Sequence, residues 1–203
     1  MGEGEGGSAS EESGGTASEG GTADGSSGAP ACTVEDDQIL FASDGMLLAP
    51  MALEDATGLG IDVAGSRTPE MGTLTLSFST TCEGPLHLWA MVWDAMGGVD
   101  PENADSIYVQ VDGGEEWPWL YGCDTDGDDE LWHWLPVRAW TMNGCEHDAF
   151  VVEGLPAGDH TIVIRGREGG VGGIDIAALG AVVVSHVEET DPSTFYEIPP
   201  PME

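Results

Sequence analysis

The segment Leu155 to Leu179 constrains the fold more than any other part of the chain. Its residues 160–167 alternate with a period of two and are rich in β-branched side chains at their centre, which is typical of a half-buried β-strand. The turn Ala157-Gly158-Asp159 precedes this strand, and a glycine-rich run, residues 169–173, follows it. A second apolar run then begins at Ile174. The segment therefore predicts two strands joined by a turn, a hairpin so apolar that further strands must cover it in water.

Short apolar segments elsewhere predict these further strands. Leu74, Leu76 and Phe78 alternate with hydroxyl side chains and are expected to face the core. Residues 50–53 are expected at a sheet edge, because Pro50 has no N–H to donate, and residues 54–60 are expected to form a loop. Met46–Leu48 belongs to the same predicted edge segment, and Phe150–Val152 leads back to the hairpin. The other predicted strands are Gln38–Ala42, Leu86–Trp93 and Ser106–Asp112. Roughly eight short strands without an amphipathic helix predict an all-β fold, an antiparallel β-sandwich of the jelly-roll type.

Composition divides the chain into three parts. Residues 1–31 hold mainly small and acidic residues, which predicts a disordered Gly/Ser/Glu-rich linker. Residues 32–187 are predicted to form the jelly-roll domain. Residues 188–203 are rich in proline and predict an extended, loosely held tail.

The charge of the chain limits its partners. It has 38 acidic residues against four arginines and no lysine, a formal net charge of −34. Such a field repels nucleic acid phosphates and anionic lipid surfaces, so neither is expected as a partner. Divalent cations, neutral sugars and basic partners remain compatible with it. The acidity is equally compatible with adaptation to a salty medium, where screening removes the self-repulsion.

The sequence also bears on where the protein acts. No apolar run approaches the ~20 residues that a membrane span needs, and the N-terminus lacks the basic and hydrophobic regions of a secretory signal. We interpret Met1 as replacing a removed export signal. The small-residue linker is typical of the tether of a surface lipoprotein, with a lipid anchor upstream. An extracellular or cell-surface location is therefore expected.

The four cysteines predict disulfides. Cys32, Cys82, Cys123 and Cys145 lack the CxxC spacing of zinc sites, and their even number fits two bridges in an oxidising compartment. Three pairings are open, of which we prefer Cys123–Cys145 and Cys32–Cys82. The alternative is four buried thiols.

An acidic loop predicts a metal site. Asp124, Asp126, Asp128 and Glu130 alternate with other residues around Gly127, so that several hard oxygens converge, as calcium requires. The loop is not an EF-hand, because Leu135 stands where the bidentate glutamate belongs. The alternative is a solvated acidic loop without an ion.

Aromatic residues gather around this loop. Flat rings stack on the C–H face of a pyranose while carboxylates and amides bind its hydroxyl groups. At least half of the rings are expected to be structural. The predicted ligand-binding residues are Trp117, Trp119, Tyr121, Trp132 and Trp134.

Several segments, in order, resemble the galactose-binding-like jelly rolls of non-catalytic carbohydrate-binding modules of families 6 and 35. The resemblance covers about residues 38–186. It implies a glycan ligand or another cell-surface component, and it implies that His160 is a buried structural residue. The segments that carry it are Gly45 to Met51, Ala56 to Gly58, Leu88 to Val92, Asp105 to Gly114, Trp132 to Trp134, Ala157 to Ile162, Arg167 to Gly169 and Ile174-Asp175.

The chain departs from that family at two groups of positions. Phe41-Ala42-Ser43 replaces a Glu-Ala-Glu strand whose carboxylates help to hold a structural calcium, whereas Asp175 resembles a late calcium ligand. Ile61 replaces a sugar-stacking tyrosine, and Gly173 replaces a ligand-binding asparagine. The fold is therefore the part of the resemblance that carries over most directly.

Catalytic signals are weak. The five histidines are scattered, and neither GxSxG nor HExxH occurs. Arg165, Arg167 and Glu168 are expected to form a structural salt-bridged set, with binding of an acidic sugar by an arginine as the minority interpretation. The sequence predicts a non-catalytic, calcium-assisted carbohydrate-binding domain of an exported, tethered surface protein. The alternative is a structural or adhesion lipoprotein that has lost the sugar cleft, and a hydrolase ranks third.

Overall fold

The computed structural model describes residues 29–56, 59–94, 105–125, 131–141, 143–168 and 177–200. Predictions that concern the linker 1–28, the loop 126–130 and Asp175 lie outside these ranges. No helix within them is long and apolar enough to cross a membrane. The strands in these ranges are β1 (Gln38–Phe41), β2 (Met46–Leu48), β3 (Ala52–Asp55), β4 (Asp62–Ser66), β5 (Thr73–Thr80), β6 (Gly84–Asp94), β7 (Ser106–Val111), β8 (Trp117–Leu120), β9 (Leu131–Pro136), β10 (Arg138–Trp140), β11 (His147–Ala149), β12 (Val151–Leu155), β13 (Gly158–Gly166) and β14 (Ala177–Ser185).

The strands form two facing antiparallel sheets and a small hairpin. In a seven-stranded sheet, β6 and β14 pair at the centre, and β1 and β4 share the other edge of β14. The other edge of β6 is shared by β12 and β9, and β3 lies outside β4. The second sheet has five strands in the order β2-β5-β13-β7-β8. Strands β10 and β11 pair with each other alone.

The predicted hairpin between residues 155 and 179 is wrong. Both strands exist, but β13 pairs with β5 and β7 in the five-stranded sheet, whereas β14 lies in the other sheet. The connection therefore crosses from one layer of the sandwich to the other. Each strand instead finds its partners far away in sequence, which is typical of a jelly roll.

The core lies between the two sheets and follows the alternation that the sequence predicted. Leu74, Leu76 and Phe78 point inward from β5, as expected. Strand β13 contributes Ile162 and Ile164. From the facing sheet, one side of β6 and β14 supplies Leu86, Leu88, Ala90, Val92, Leu179, Val182 and Val184.

A second apolar cluster covers the outer face of the seven-stranded sheet, and the C-terminal tail belongs to it. The Trp134 Nε1–H donates to the Tyr196 carbonyl oxygen at 2.9 Å, and the Tyr196 hydroxyl donates to the Leu59 carbonyl oxygen. The Tyr196 ring meets Phe41 edge-on at 5.9 Å between centroids. The tail is thus held on the sheet at Tyr196 and Ile198, and the prediction of a loosely held tail is wrong for these residues.

Two other local predictions need correction. Residues 54–60 are not all loop, because Glu54 and Asp55 complete β3. Strand β4 was not predicted at all, although Val63 and Ala64 are buried in it. The predicted edge position of residues 50–53 is confirmed, since β3 borders its sheet.

Candidate functional site

Two disulfides frame the domain, and both predicted pairings are confirmed. Cys32–Cys82 ties the N-terminal edge to the turn before β6, and Cys123–Cys145 ties the turn after β8 to the loop before β11. The alternative of four buried thiols is wrong. The second bridge fixes the β10–β11 hairpin beside the region in which the aromatic residues were predicted to bind a ligand.

Trp119 and Tyr121 are core residues, and their interpretation as ligand-binding residues is wrong. Both have an exposed fraction of 0%, and their rings contact each other at 5.5 Å between centroids. A ring without accessible surface has no face to offer to a sugar. They lie instead under the sheet edge, where they fill the interior beside Ile107.

Trp132 and Trp134 lie on the outer face of the seven-stranded sheet and are half-buried there. Trp132 packs against Trp93 at 5.4 Å between centroids, and Trp134 holds the tail through its indole N–H. Both rings belong to the second apolar cluster. Their role as ligand-binding residues stays a prediction, and both side chains already contact other parts of the protein.

Trp117 differs from the other aromatic residues because it is exposed, at 38%. It starts β8 directly after a tight turn in which Asp112 and Gly113 both have positive φ, and in which the Gly114 N–H donates to the Val111 carbonyl oxygen at 2.9 Å. The ring lines an open groove of about 470 Å³, here called the Trp117 groove. Its lining residues are Val111, Gly114, Glu115, Trp117, Ala139 and the segment 148–153.

A second open groove, here called the Trp89 groove, lies where two strands part. Strand β9 ends opposite Trp89 and β12 begins opposite His87, so the β10–β11 hairpin leaves the sheet between them. The resulting groove has a volume of about 590 Å³. It is lined by residues 87–89, Pro136, Val137, Arg138, residues 147–151 and residues 188–190. Residues 148–151 also line the Trp117 groove and form a ridge between the two.

Asp124 is the one predicted metal ligand that the described residues include. Its Oδ1 accepts from Arg138 Nη1 at 3.3 Å, and its Oδ2 lies 3.8 Å from His147 Nδ1. Oδ2 is buried and has no hydrogen-bond partner among the described residues. Burial lowers the pKa of His147, because desolvation disfavours the imidazolium despite the nearby Asp124 carboxylate. Asp126, Asp128 and Glu130 lie outside the described ranges.

Within the described residues, Cys32, Cys82 and His186 form the one group of three ligand-type side chains close enough to share an ion. Both sulfurs are already joined in a disulfide, so they offer no thiolate. This group therefore has the wrong chemistry for a metal site.

Arg165 and Arg167 are both ion-paired, as predicted, but Arg165 pairs with Glu116 and Glu70 rather than with Glu168. Arg165 donates to both Glu116 oxygens at 2.8 and 2.7 Å and to Glu70 at 2.6 Å, and it lies over the Tyr108 ring at 4.0 Å. The paired charge lowers the pKa of the Glu116 carboxyl, chiefly through the hydrogen bonds from Arg165. Arg167 pairs with Glu168.

Sequence reasoning missed the residues that complete the two grooves. Asp148, Glu153, Glu188 and Glu189 come from separate segments, and no local motif joins them. Trp89 lies within the predicted strand Leu86–Trp93, and its side chain faces outward from the sandwich core. The available signal was the alternation in β6, which places Trp89 opposite Leu88.

Comparison with known proteins bears on the fold. No protein-family model matches this chain, and no curated protein matches it. A GH26-CBM35 β-(1,4)-mannanase from Podospora anserina is 15% identical with a TM-score of 0.50, over 77% of this chain and 29% of that one. A family 35 carbohydrate-binding module from Clostridium thermocellum is 13% identical with a TM-score of 0.47, over 74% of this chain and 98% of the module.

An exo-β-1,3-galactanase from Phanerochaete chrysosporium is 18% identical with a TM-score of 0.45, over 74% of this chain and 29% of that one. The match thus spans 29% of the length of each of these two enzymes. At such low identity, the likeness to the mannanase structure concerns the fold. The chain is an all-β protein, an antiparallel β-sandwich of the jelly-roll type.

Proposed function

We propose that this domain is a non-catalytic carbohydrate-binding module and that it binds glycan in the Trp117 groove. The observation that carries this proposal is the exposed Trp117 ring in a groove that carboxylates border. An indole face stacks on the apolar face of a pyranose, and carboxylates accept hydrogen bonds from its hydroxyl groups. A rigid sheet edge and the Cys123–Cys145 bridge hold these groups in place, so little ordering is required on binding.

The carboxylates beside Trp117 have no ion-pair partner in the part of the chain that the structure describes. Glu115, Asp148 and Glu153 are exposed, and they make no ion pair or side-chain hydrogen bond among the described residues. The apolar floor of the groove includes Phe150, which is buried. An aromatic wall, an apolar floor and several free acceptors are the usual composition of a small-ligand site.

The pKa values of two carboxyl groups, those of Glu116 and Asp191, bear on whether these groups act in catalysis. A glycoside hydrolase needs one carboxylic acid of raised pKa beside a carboxylate. The carboxyl pKa values of Glu116 and Asp191 are instead lowered, by hydrogen bonds from Arg165 and Ser193. These shifts favour structural rather than acid–base roles for both groups.

Isothermal titration with neutral, acidic and amino oligosaccharides tests the proposal. The wild-type domain should bind at least one class, and Trp117→Ala should weaken that binding roughly five- to tenfold. Met46→Ala is the matched control, because Met46 is an exposed apolar residue on the edge strand β2, at the opposite edge of the same sheet. Binding that ignores the Trp117 change would remove the proposed site.

Calcium assistance, export and tethering belong to the same proposal. Asp124 supplies a buried carboxylate oxygen without a hydrogen-bond partner among the described residues, which fits a hard cation held together with Asp126, Asp128 and Glu130. Two disulfides are typical of an oxidising, extracellular compartment. An exported surface protein fits both features, and the small-residue linker 1–31 is the ground for proposing that a lipid anchor tethers it.

One observation favours the alternative of a structural or adhesion protein. Trp119, Tyr121 and Trp134 are engaged in protein contacts rather than in a sugar cleft. Under this alternative, no oligosaccharide class binds in the titration, and Trp117→Ala changes nothing that is measured there.

A further inference from the structure

We propose that the glycan bound by this domain is a polymer of amino sugars whose nitrogen is unacetylated and protonated. The polymer crosses the ridge 148–151 from the Trp117 groove into the Trp89 groove. This inference rests on the proposed function, because it names the class of glycan that the same site takes. Three features carry it: the continuity of the two grooves, the distribution of charge along them, and the tryptophan residues in their walls.

The two grooves are neighbours with a common wall. Asp148, Ala149, Phe150 and Val151 line both of them, and the volumes are about 470 and 590 Å³. Each groove is open to solvent at the surface. A chain of several sugar rings therefore has room on both sides of the ridge, with a tryptophan on each side. Trp117 lies in one groove and Trp89 in the other.

The charge along this path is negative. Five exposed carboxylates line the grooves, and among the described residues none of them has an ion-pair partner. They are Glu115, Asp148, Glu153, Glu188 and Glu189. Asp148 occupies the ridge itself, so a polymer that crosses from one groove to the other passes a carboxylate at the midpoint.

The four arginine side chains of the protein are all engaged in ion pairs with carboxylates. Arg67 pairs with Glu54, Arg165 with Glu70 and Glu116, and Arg167 with Glu168. Arg138 lines the Trp89 groove, but its guanidinium pairs with Asp124. An acidic sugar would thus meet unpaired carboxylates and no unpaired arginine. A protonated amine would instead find carboxylates that attract it and accept hydrogen bonds from its N–H groups.

The tryptophan rings in the walls also suit an ammonium ion. An amine over the face of Trp89 or Trp117 gains a cation–π attraction in addition to stacking of the sugar ring. His147 lies in the wall of the Trp89 groove with 3% of its side chain exposed, and its Nε2 is buried without a hydrogen-bond partner among the described residues, so this nitrogen offers no accessible surface to the sugar. The formal net charge of −34 further attracts a cationic polymer from a distance.

Titration with two matched hexamers tests the inference. A β-1,4-linked glucosamine hexamer and its fully N-acetylated counterpart have the same rings and linkages but differ in charge at pH 6. The glucosamine hexamer should bind about tenfold more tightly in 50 mM salt, and its advantage should shrink in 500 mM salt. Asp148→Asn and the double variant Glu188→Gln/Glu189→Gln should each weaken it, roughly two- to fivefold per carboxylate.

Control variants separate local charge from total charge. Glu35→Gln/Glu197→Gln removes two exposed carboxylates outside both grooves, so it changes the net charge of the protein by as much as the Glu188 and Glu189 variant. It should leave the affinity for the glucosamine hexamer unchanged. An equal loss in both double variants would overturn the inference, since general attraction would then explain the binding.

The other outcomes distinguish this inference from the proposed function. Equal affinity for both hexamers, with loss of both in Trp117→Ala, overturns the charge preference and leaves the glycan site standing. Failure of both hexamers and of every other oligosaccharide class defeats both proposals. Displacement of the glucosamine hexamer by a hexalysine peptide of similar affinity, together with no effect of Trp117→Ala, would show binding of charge alone and also overturn the inference.

Discussion

His160 Nδ1 lies 2.7 Å from Asp112 Oδ2, which joins strand β13 to the turn after β7. The other ring nitrogen of His160 lies 2.8 Å from the Pro156 carbonyl oxygen, and Asp112 Oδ1 accepts from the Thr161 N–H at 2.8 Å. The histidine is buried, as the resemblance implied for a structural residue. These hydrogen bonds attach the turn after β7 to the buried His160, and the chain leads from this turn to Trp117. They therefore link the core of the five-stranded sheet to the Trp117 groove.

Asp112→Asn should destabilise the domain by about 2 kcal/mol, because a buried ring loses a charged hydrogen-bond partner. Asparagine tolerates the positive φ of 49° at this position, so backbone strain does not contribute. Urea unfolding measures the change in stability. Glu115→Gln is the control, because Glu115 is a neighbouring carboxylate that has no ion pair among the described residues. Equal stability of both variants would contradict a structural role for the pair.

Trp119→Ala and Trp117→Ala should differ strongly in stability. Trp119 is fully buried, so its removal should cost about 3–5 kcal/mol of unfolding free energy through lost burial and a cavity. Trp117 is exposed at the start of β8, and its removal should cost about 0.5 kcal/mol. Denaturant midpoints give both values. Similar costs at the two positions would contradict the assignment of one ring to the core and the other to the surface.

Loss of the disulfides should destabilise according to the loop that each closes. The separations are 22 residues for Cys123–Cys145 and 50 for Cys32–Cys82, so chain entropy predicts losses of about 3 and about 4 kcal/mol. Double Cys→Ser variants, compared in thermal and urea unfolding, measure both. Removal of Cys123–Cys145 should also weaken glycan binding, whereas Cys32–Cys82 should not affect it at temperatures where the domain stays folded.

The Glu116–Arg165 pair predicts a pH dependence on the acidic side. The folded-state pKa of Glu116 is lowered, so its contribution is present above the ordinary pKa of a glutamate and is lost as the pH falls through the folded-state value. Glu116→Gln should therefore reduce stability at pH 7 by about 0.2–1 kcal/mol, with the difference from wild type vanishing in acid. Melting temperatures between pH 2 and 7 test this prediction (roughly the range over which carboxyl groups titrate). A difference that grows in acid would contradict it.

Calcium should stabilise the domain through Asp124. At a calcium concentration of about 100 times Kd, the gain in unfolding free energy is about 2.7 kcal/mol. Asp124→Asn should abolish the rise in melting temperature between chelator and millimolar calcium. Arg138→Gln removes the ion pair at Asp124 but leaves the carboxylate, so this variant should still respond. A wild-type melting temperature that calcium does not move would eliminate the ion.

The strands were predictable because alternation is a local property, and their partners were not. The alternation in residues 73–80 and 158–166 predicts a strand in each segment, yet the residues that pair are 78 to 92 positions apart in the sequence. Glycines between two strands suggested a hairpin, although the connection from β13 to β14 passes between layers. Strand β4 was not predicted, because Gly65 and its small neighbours Ala64 and Ser66 interrupt the apolar pattern of the segment.

The candidate site shows the same limit. Trp117 and Trp119 are two residues apart in one strand, so periodicity places both on the same face. Periodicity does not say where the opposite sheet stops covering that face. The Trp119 ring lies under the covered part and is a core residue, whereas the Trp117 ring lies beyond it and is exposed. The carboxylates of the two grooves come from distant segments, which the folded chain alone brings together.

The indole N–H signals of ¹⁵N-labelled protein test the central claim most directly, with Trp117→Phe used to assign the signal of Trp117. During titration with millimolar glucosamine hexamer and its N-acetylated counterpart, the Trp117 signal should shift progressively with at least one ligand, while the buried Trp119 signal stays in place. A Trp117 signal that does not move with either hexamer, or with any other oligosaccharide class, would contradict glycan binding in this groove.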